Sequence, residues 1–225
     1  MSDWNKLEAR TLRANVTDLI RRAIIEGDLP AESELNQAQI AAKLGISRGP
    51  VREAMGRLEQ EGLIKNVPYK GVFITSLSPD YVEELYSLRG ALESFAMECA
   101  IEKLTSKELK KLKQLVKDMH KAAQAKDEYK LGEIDLIFHK TIIEMSQHEL
   151  LKKTWKNLEI GLQRCLYKRQ QIYPSLELVV GSHPAIVEAM EARDIETATT
   201  LMREHILDAG QKLREQMELD QQVAS

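Results

Sequence analysis

Apolar residues recur every three or four positions along most of the chain, the period of an amphipathic helix, and strand-like runs are confined to one short stretch. Leu12, Val16, Leu19, Ile20, Ala23 and Ile24 predict a first helix over 11–26, closed by Gly27. Asn36, with Gln39 three residues on, has the form of a capping box and opens a short second helix with Ile40, Ala41 and Leu44 inward. Gly45-Ile46 makes a tight turn. Ser47 is then expected to cap a third helix that carries Val51, Ala54, Met55 and Leu58 on one face and ends at Gly62. The runs 63–67 and 72–75 predict two strands joined by Pro68-Tyr69-Lys70-Gly71.

After Pro79 the strand signal stops. Helices are predicted over 79–101, 106–126, 127–146, 149–171, 184–193 and 195–217. The expected inward stripe of the first is Val82, Leu85, Leu88, Leu92, Phe95 and Cys99. That of the third is Leu131, Ile134, Phe138, Ile142 and Met145, and that of the last is Ala198, Leu201, Met202, Ile206, Ala209 and Leu213. Short connections make neighbouring helices mostly antiparallel, hence a bundle. Ser78 is a good N-cap and Pro79 a good first helical residue, so the chain divides into modules at 1–77 and 78–225. The expected fold class is mainly α, an N-terminal winged helix-turn-helix followed by an all-α antiparallel helical bundle.

Composition narrows the function classes. Aromatic residues are 5% of the 225, poor material for an all-β protein, while 43% apolar residues can supply a core. No apolar run approaches the ~20 residues of a membrane span, and Met1 to Arg13 is polar, so no membrane partner and a cytoplasmic location are expected. Cys99 and Cys165 lack metal-type spacing and are expected in the core of a protein kept in a reducing compartment. A net charge of −3 excludes a uniformly basic surface, yet residues 43–70 hold six basic side chains against three acidic ones.

That local positive excess falls on the predicted helix-turn-helix and wing. Arg48 and Arg52 are four apart, so they share a face opposite Val51, Met55 and Leu58. There they can read guanine edges or clamp phosphate with the third helix in the major groove of double-stranded DNA. Ser47 and nearby backbone amides suit a phosphate at the helix N-terminus, and Lys70 and Gly71 suit a wing against the backbone or minor groove. The competing reading makes both arginines solvated charges on a small helical subdomain. The ordered caps, turn and wing favour DNA.

In the second module the polar interruptions of the stripes carry the chemistry. Asp135 and His139 are four apart on or beside an apolar face, as a hydrogen-bonded pair or as metal ligands. His183 and His205 lie eleven residues on either side of the turn at Asp194, so an antiparallel hairpin places them level. Together they make an Asp-His-His-His set suited to one divalent transition metal per chain, zinc first, with nickel, manganese or iron as alternatives. His120 is expected at the surface and His148 in a loop. No further inward Glu, His or Lys presents itself as a general base, so an enzyme is not expected.

The run from Gly45 through Arg48, Arg52 and Met55 to Leu58, Glu61, Gly62, Leu63 and Ile64, with the lead-in Ile25 to Pro30, resembles the winged helix of the GntR family. The chain departs from that family at Ala31-Glu32, where Pro-Gly is usual. It also departs at Ala38, often basic, and at Gly49, often Thr. Residues 79–217 resemble the FCD ligand-binding domain of the same family. The likeness rests on Leu85 to Glu93, Asp135 to His139, Ser182 to Ile186 and Met202 to Ile206. The resemblance implies a ligand-responsive transcriptional regulator that binds operator DNA, as a homodimer over two half-sites. It implies an ion on Asp135, His139, His183 and His205, with a small carboxylate effector beside it. Arg89 matches a family arginine and could clamp that carboxylate, or form an ion pair inside the bundle. The first bundle helix starts directly after the first module, which gives Arg89 a short route to the DNA-binding head. The alternatives are a metal-dependent enzyme of the helical module and a regulator whose metal is purely structural.

Overall fold

The computed structural model describes residues 4–170, 172 and 175–223. Two compact units divide between Ser76 and Leu77. Among the described residues, structure is helical apart from one two-stranded sheet.

The first unit contains α1 (Trp4–Ile25), α2 (Gln37–Leu44), α3 (Arg48–Gln60), β1 (Ile64–Val67) and β2 (Gly71–Ile74). Val16, Ile20, Ile24, Val51, Ala54, Met55 and Leu58 close a core between α1 and α3. Leu12 and Leu19, expected inward, are 40% and 52% exposed. Thr17 takes an inward place, because its hydroxyl donates to the Arg13 carbonyl at 2.9 Å and no polar group is left unpaired. Asn36 caps α2 through the amides of Ala38 and Gln39. Gly45 then takes φ 64°, a left-handed turn residue that costs a side chain about 1 kcal/mol or more, and its amide returns to Ala41 and Ala42.

β1 and β2 pair antiparallel, Ile64 with Ile74 and Val67 with Gly71. Residues 32–35 lie along β2 as a third strand-like edge, through Leu35 N–H to the Val72 carbonyl and Ile74 N–H to the Ser33 carbonyl. Sequence periodicity gave no sign of it. Glu32 sits at φ 63° in that edge, where the family resemblance leads one to expect glycine. Its carboxylate accepts from Ser76 at 2.7 Å and pairs with Lys65, contacts that offset the backbone strain.

The second unit contains α4 (Pro79–Lys103), α5 (Ser106–Gln124), α6 (Glu128–Met145), α7 (Glu149–Gln170), α8 (Glu177–Val180), α9 (His183–Glu191) and α10 (Ile195–Val223). The one-turn α8 was not expected, and α10 runs six residues past its predicted end. The predicted end of the fourth bundle helix, Gln171, lies outside the described residues. Caps mark the starts: Ser78 on α4, Thr105 with Glu108 in a reciprocal box on α5, and Asp127 on α6. α4 and α10 pack closely, and an added methyl at Gly210 would come within 2.6 Å of the Tyr86 side chain.

The stripes of α6 and α10 are inward as read from the sequence, with Leu201 partly buried. That of α4 is rotated. Leu88 and Phe95 are 44% and 43% exposed, while Tyr86, Arg89, Glu93, Ala96 and Met97 face inward with Val82 and Leu85. The stripe was misplaced because only apolar side chains were counted in it, whereas the mutual pairing of Arg89 and Glu93 lets both charged groups be buried on the inward face. Cys165 is buried and Cys99 half-buried. No described helix is long and apolar enough to cross a membrane.

Candidate metal centre and nucleic-acid interface

In the first unit α3 presents Arg48 and Arg52 to solvent, with Val51, Ala54, Met55 and Leu58 on its buried side. The Gln37 side-chain amide donates to the Arg48 carbonyl at 2.9 Å and fixes the start of α3 against α2. Ser47 occupies the N-cap position, yet its hydroxyl makes no capping hydrogen bond, contrary to expectation. The N3 residue is Pro50, which has no N–H to receive the cap. The exposed end of α3 therefore keeps both its hydroxyl and its positive dipole end available to an anion. Lys70 is exposed at the tip of the β1–β2 hairpin, Gly71 follows at φ 117°, and the neighbouring Tyr69 is fully exposed at φ 63°. Tyr69 was not singled out from the sequence, since a tyrosine between strands normally reads as a packing residue.

The second unit brings together all four of its suspected ligands. Asp135 and His139 come from α6, His183 opens α9 and His205 lies on α10. One donor atom from each lies within 4.8 Å of the others. Asp135, His139 and His183 are completely buried, and His205 is half-buried. The turn between α9 and α10 is anchored by Arg193, whose guanidinium donates to the Ile101 and Leu104 carbonyls at 2.7 and 2.8 Å. That contact fixes the hairpin holding His183 and His205 against the end of α4.

The orientation of the rings is informative. His139 Nδ1 is bonded to the Glu93 carboxylate, and His183 Nδ1 lies 3.0 Å from the Val180 carbonyl. Both partners only accept, so both Nδ1 atoms carry the proton and both Nε2 atoms are bare. His205 Nδ1 is 2.6 Å from the Ser182 hydroxyl. His139 Nε2 is buried without a hydrogen-bond partner, and His183 Nε2 stands 3.1 Å from Asp135 Oδ1. Bare imidazole nitrogens facing one another and a carboxylate repel unless a cation lies between them. The residues present thus fit a divalent ion held by nitrogen and oxygen. A surface cleft of ≈ 310 Å³, lined by Leu178, Ser182, Asp208 and Lys212 among others, opens on His205.

Arg89 and Glu93 adjoin this cluster, both fully buried. Arg89 Nε donates to Glu93 Oε1 at 2.6 Å, so the ion-pair alternative holds for Nε. Arg89 Nη1 and Nη2 have no hydrogen-bond partner, and neither has the buried Trp155 Nε1. The guanidinium carbon lies 5.8 Å from the Trp155 ring. Unsatisfied buried donors cost about 1–3 kcal/mol each, so this group suits an acceptor-rich anion. Burial opposes the charge of each member of the pair. For Glu93, Arg89 and His139 outweigh burial and hold the carboxyl below its usual range; for Arg89, Glu93, Tyr86 and Asp135 hold the guanidinium above its own. The expectation that no further inward acid exists is corrected by Glu93. It was misread because its charge suggested an outer face.

His120 is half-buried and lies 2.8 Å from Glu177 of α8, rather than standing free at the surface. His148 precedes α7 and accepts the Leu151 amide through Nδ1 at 3.1 Å. Neither joins the cluster.

Burial, then the positive Arg89, push the His139 pKa below its ordinary value against the opposing pull of Glu93 and Asp135. In metal-free protein, the unfolded chain binds a proton near pH ~6.5 that the folded chain refuses until lower pH. Stability from this group is complete above that pH and is lost as pH falls, by up to about 1.4 kcal/mol per unit. Thermal melts at pH 7.5 and 5.5 will show a smaller loss in His139→Gln than in wild type. Equal losses would show that His139 is not the group refusing the proton.

A winged helix-turn-helix followed by a helical bundle with an inward polar cluster defines a class, the two-module transcriptional regulators. The chain belongs to the GntR family of bacterial regulatory proteins: residues 12–74 match the gntR-family model and residues 84–208 match the FCD domain. It is 28% identical over 201 residues to a probable D-xylose utilization operon transcriptional repressor of Paenarthrobacter nicotinovorans, covering 89% of this chain and 88% of that one. It is 24% identical over 209 residues to the gluconate operon transcriptional repressor of Bacillus subtilis, covering 91% and 85%. Escherichia coli McbR/YncC shares the fold, with a TM-score of 0.76 and 22% identity over 91% of this chain and 98% of that one. These families and relatives are transcriptional regulators, not enzymes, so the protein is a DNA-binding transcriptional regulator.

Proposed function

We propose that operator binding by this regulator is controlled by a small anion held beside a divalent metal in the second unit. The observation that supports this most is the ring orientation: His139 and His183 direct bare Nε2 atoms at Asp135, with His205 alongside. Asp135, His139, His183 and His205 hold one ion, with zinc preferred and nickel, manganese or iron as alternatives. When bound, the ion supplies a positive centre for an oxygen ligand. Arg89 and Trp155 offer their unpartnered donors to the same anion, a mono- or dicarboxylate or hydroxy acid. A hydroxy acid is in keeping with the gluconate operon named for the Bacillus subtilis relative.

On DNA, Arg48 and Arg52 enter the major groove. Ser47 meets phosphate at the start of α3, and Lys70, Gly71 and Tyr69 form the wing contact. The chain acts as a cytoplasmic homodimer on two half-sites, through modules bounded at 1–77 and 78–225. α4 follows the first unit in sequence and carries Arg89, so a ligand drawing on Arg89 acts on the helix that continues directly from the DNA-binding unit's chain. Coupling of about 1–3 kcal/mol is expected, and linkage requires operator DNA to change anion affinity by the same factor. Calorimetry of the zinc-loaded protein with a carboxylate panel, with and without operator DNA, tests this. A carboxylate that binds free and DNA-bound protein equally well is not the signal.

A further inference from the structure

Resting on the metal reading above, we infer that Glu93 is a positioning residue for the metal centre, acting through His139. The two oxygens of its carboxylate are divided between two partners. Oε1 accepts from Arg89 Nε at 2.6 Å, and Oε2 is bonded to His139 Nδ1. All three side chains are completely buried. Arg89 and Glu93 are four apart on α4, so the helix itself holds the pair in register, and Glu93 then reaches across to α6.

This arrangement does two things for His139. A carboxylate only accepts, so it keeps the imidazole proton on Nδ1 and leaves the Nε2 lone pair facing Asp135, His183 and His205. Its negative charge also makes the ring a stronger donor. The other two imidazoles are held by neutral groups, the Val180 carbonyl and the Ser182 hydroxyl. His139 is thus oriented at Nδ1 by a charge, and Arg89 keeps that charge in place. The same link sets the electrostatic balance. A divalent ion and Arg89 bring three positive charges against two negative ones on Asp135 and Glu93. One positive charge remains, which a monoanion neutralises.

The test compares wild type, Glu93→Gln and Met97→Ala by zinc competition against a chromophoric chelator. Met97 is buried one turn further along α4, so its truncation destabilises the same helix while leaving all three polar side chains of the Arg89–Glu93–His139 chain in place. One zinc per chain is expected in all three. Glu93→Gln should weaken affinity about 10- to 100-fold, the usual cost of losing an outer partner of a metal-bound histidine, while Met97→Ala stays near wild type. Cobalt-substituted Glu93→Gln should also show altered visible absorption bands, which report ligand geometry rather than fold stability. Wild-type zinc affinity in Glu93→Gln overturns the inference and leaves the four ligands standing. Equal losses in Glu93→Gln and Met97→Ala also overturn it, because affinity would then follow helix packing. Wild-type protein that binds no zinc overturns the ligand set and this inference together.

Discussion

Arg48→Ala and Arg52→Ala will each weaken operator binding by about 1–3 kcal/mol, or roughly 5- to 150-fold, with helical circular dichroism unchanged. The fold is expected to survive because both side chains are exposed on α3 and the buried face of that helix holds neither. What is lost is a guanidinium fork that reaches base edges or phosphate from the first turns of the helix. Arg57 supplies the internal control. It lies on the same helix but pairs with Glu61 at 3.2 Å, near the far end of α3. Arg57→Ala should therefore leave operator affinity within a few-fold of wild type. Salt separates the two modes of contact. A variant that has lost only a base contact keeps the wild-type slope of affinity against salt, whereas one that has lost a phosphate contact has a shallower slope by about one unit. Full operator affinity in the Arg48/Arg52 double variant would show that α3 does not read the DNA.

Much of this fold was legible because helical periodicity and caps are local signals. Asn36 and Ser78 sit where helices begin, and the stripes of α6 and α10 face the core. Asp135, His139 and His205 could be picked out because each lies on or beside an apolar stripe with a side chain that is costly to bury alone, and His183 because it stands level with His205 across the turn at Asp194. Glu93 was missed for the complementary reason. Beside Arg89, a glutamate four residues on is what a solvated helix face also shows, and only tertiary packing reveals that Glu93 is inside. The same ambiguity rotated the α4 stripe and left Leu88 and Phe95 outward. Ser47 shows a different limit. Its identity marks a cap, but the proline three residues later removes the amide the cap would have bonded, so the hydroxyl stays available. The edge formed by residues 32–35 carries no periodic signal, since its register is set by β2 rather than by its own side chains. Trp155 was not singled out from the sequence, and its unpartnered Nε1 emerges only beside Arg89.

The largest effect is expected at the metal centre. Replacing His183 and His205 together with alanine removes two of four donors and leaves Asp135 and His139 on one face of α6. Four-ligand structural zinc sites are worth roughly 10–16 kcal/mol at neutral pH, so losing half the donors should cost several kcal/mol and weaken affinity more than about 1000-fold. Purified wild-type protein should carry about one metal per chain and lose it to a chelator. The double variant should carry none. Stability gives an independent reading, because an ion that binds only the folded chain raises the melting temperature by mass action. Chelation should therefore lower the wild-type melting temperature and leave the variant's unchanged. In the metal-free state the two proteins should lie closer together. Wild type then retains the opposed Nε2 atoms of His139 and His183 beside Asp135, an arrangement the variant relieves while giving up some packing around Phe138, whose ring centre lies 4.9 Å from that of His183. Stoichiometric metal retained by the double variant would place the ion on other ligands.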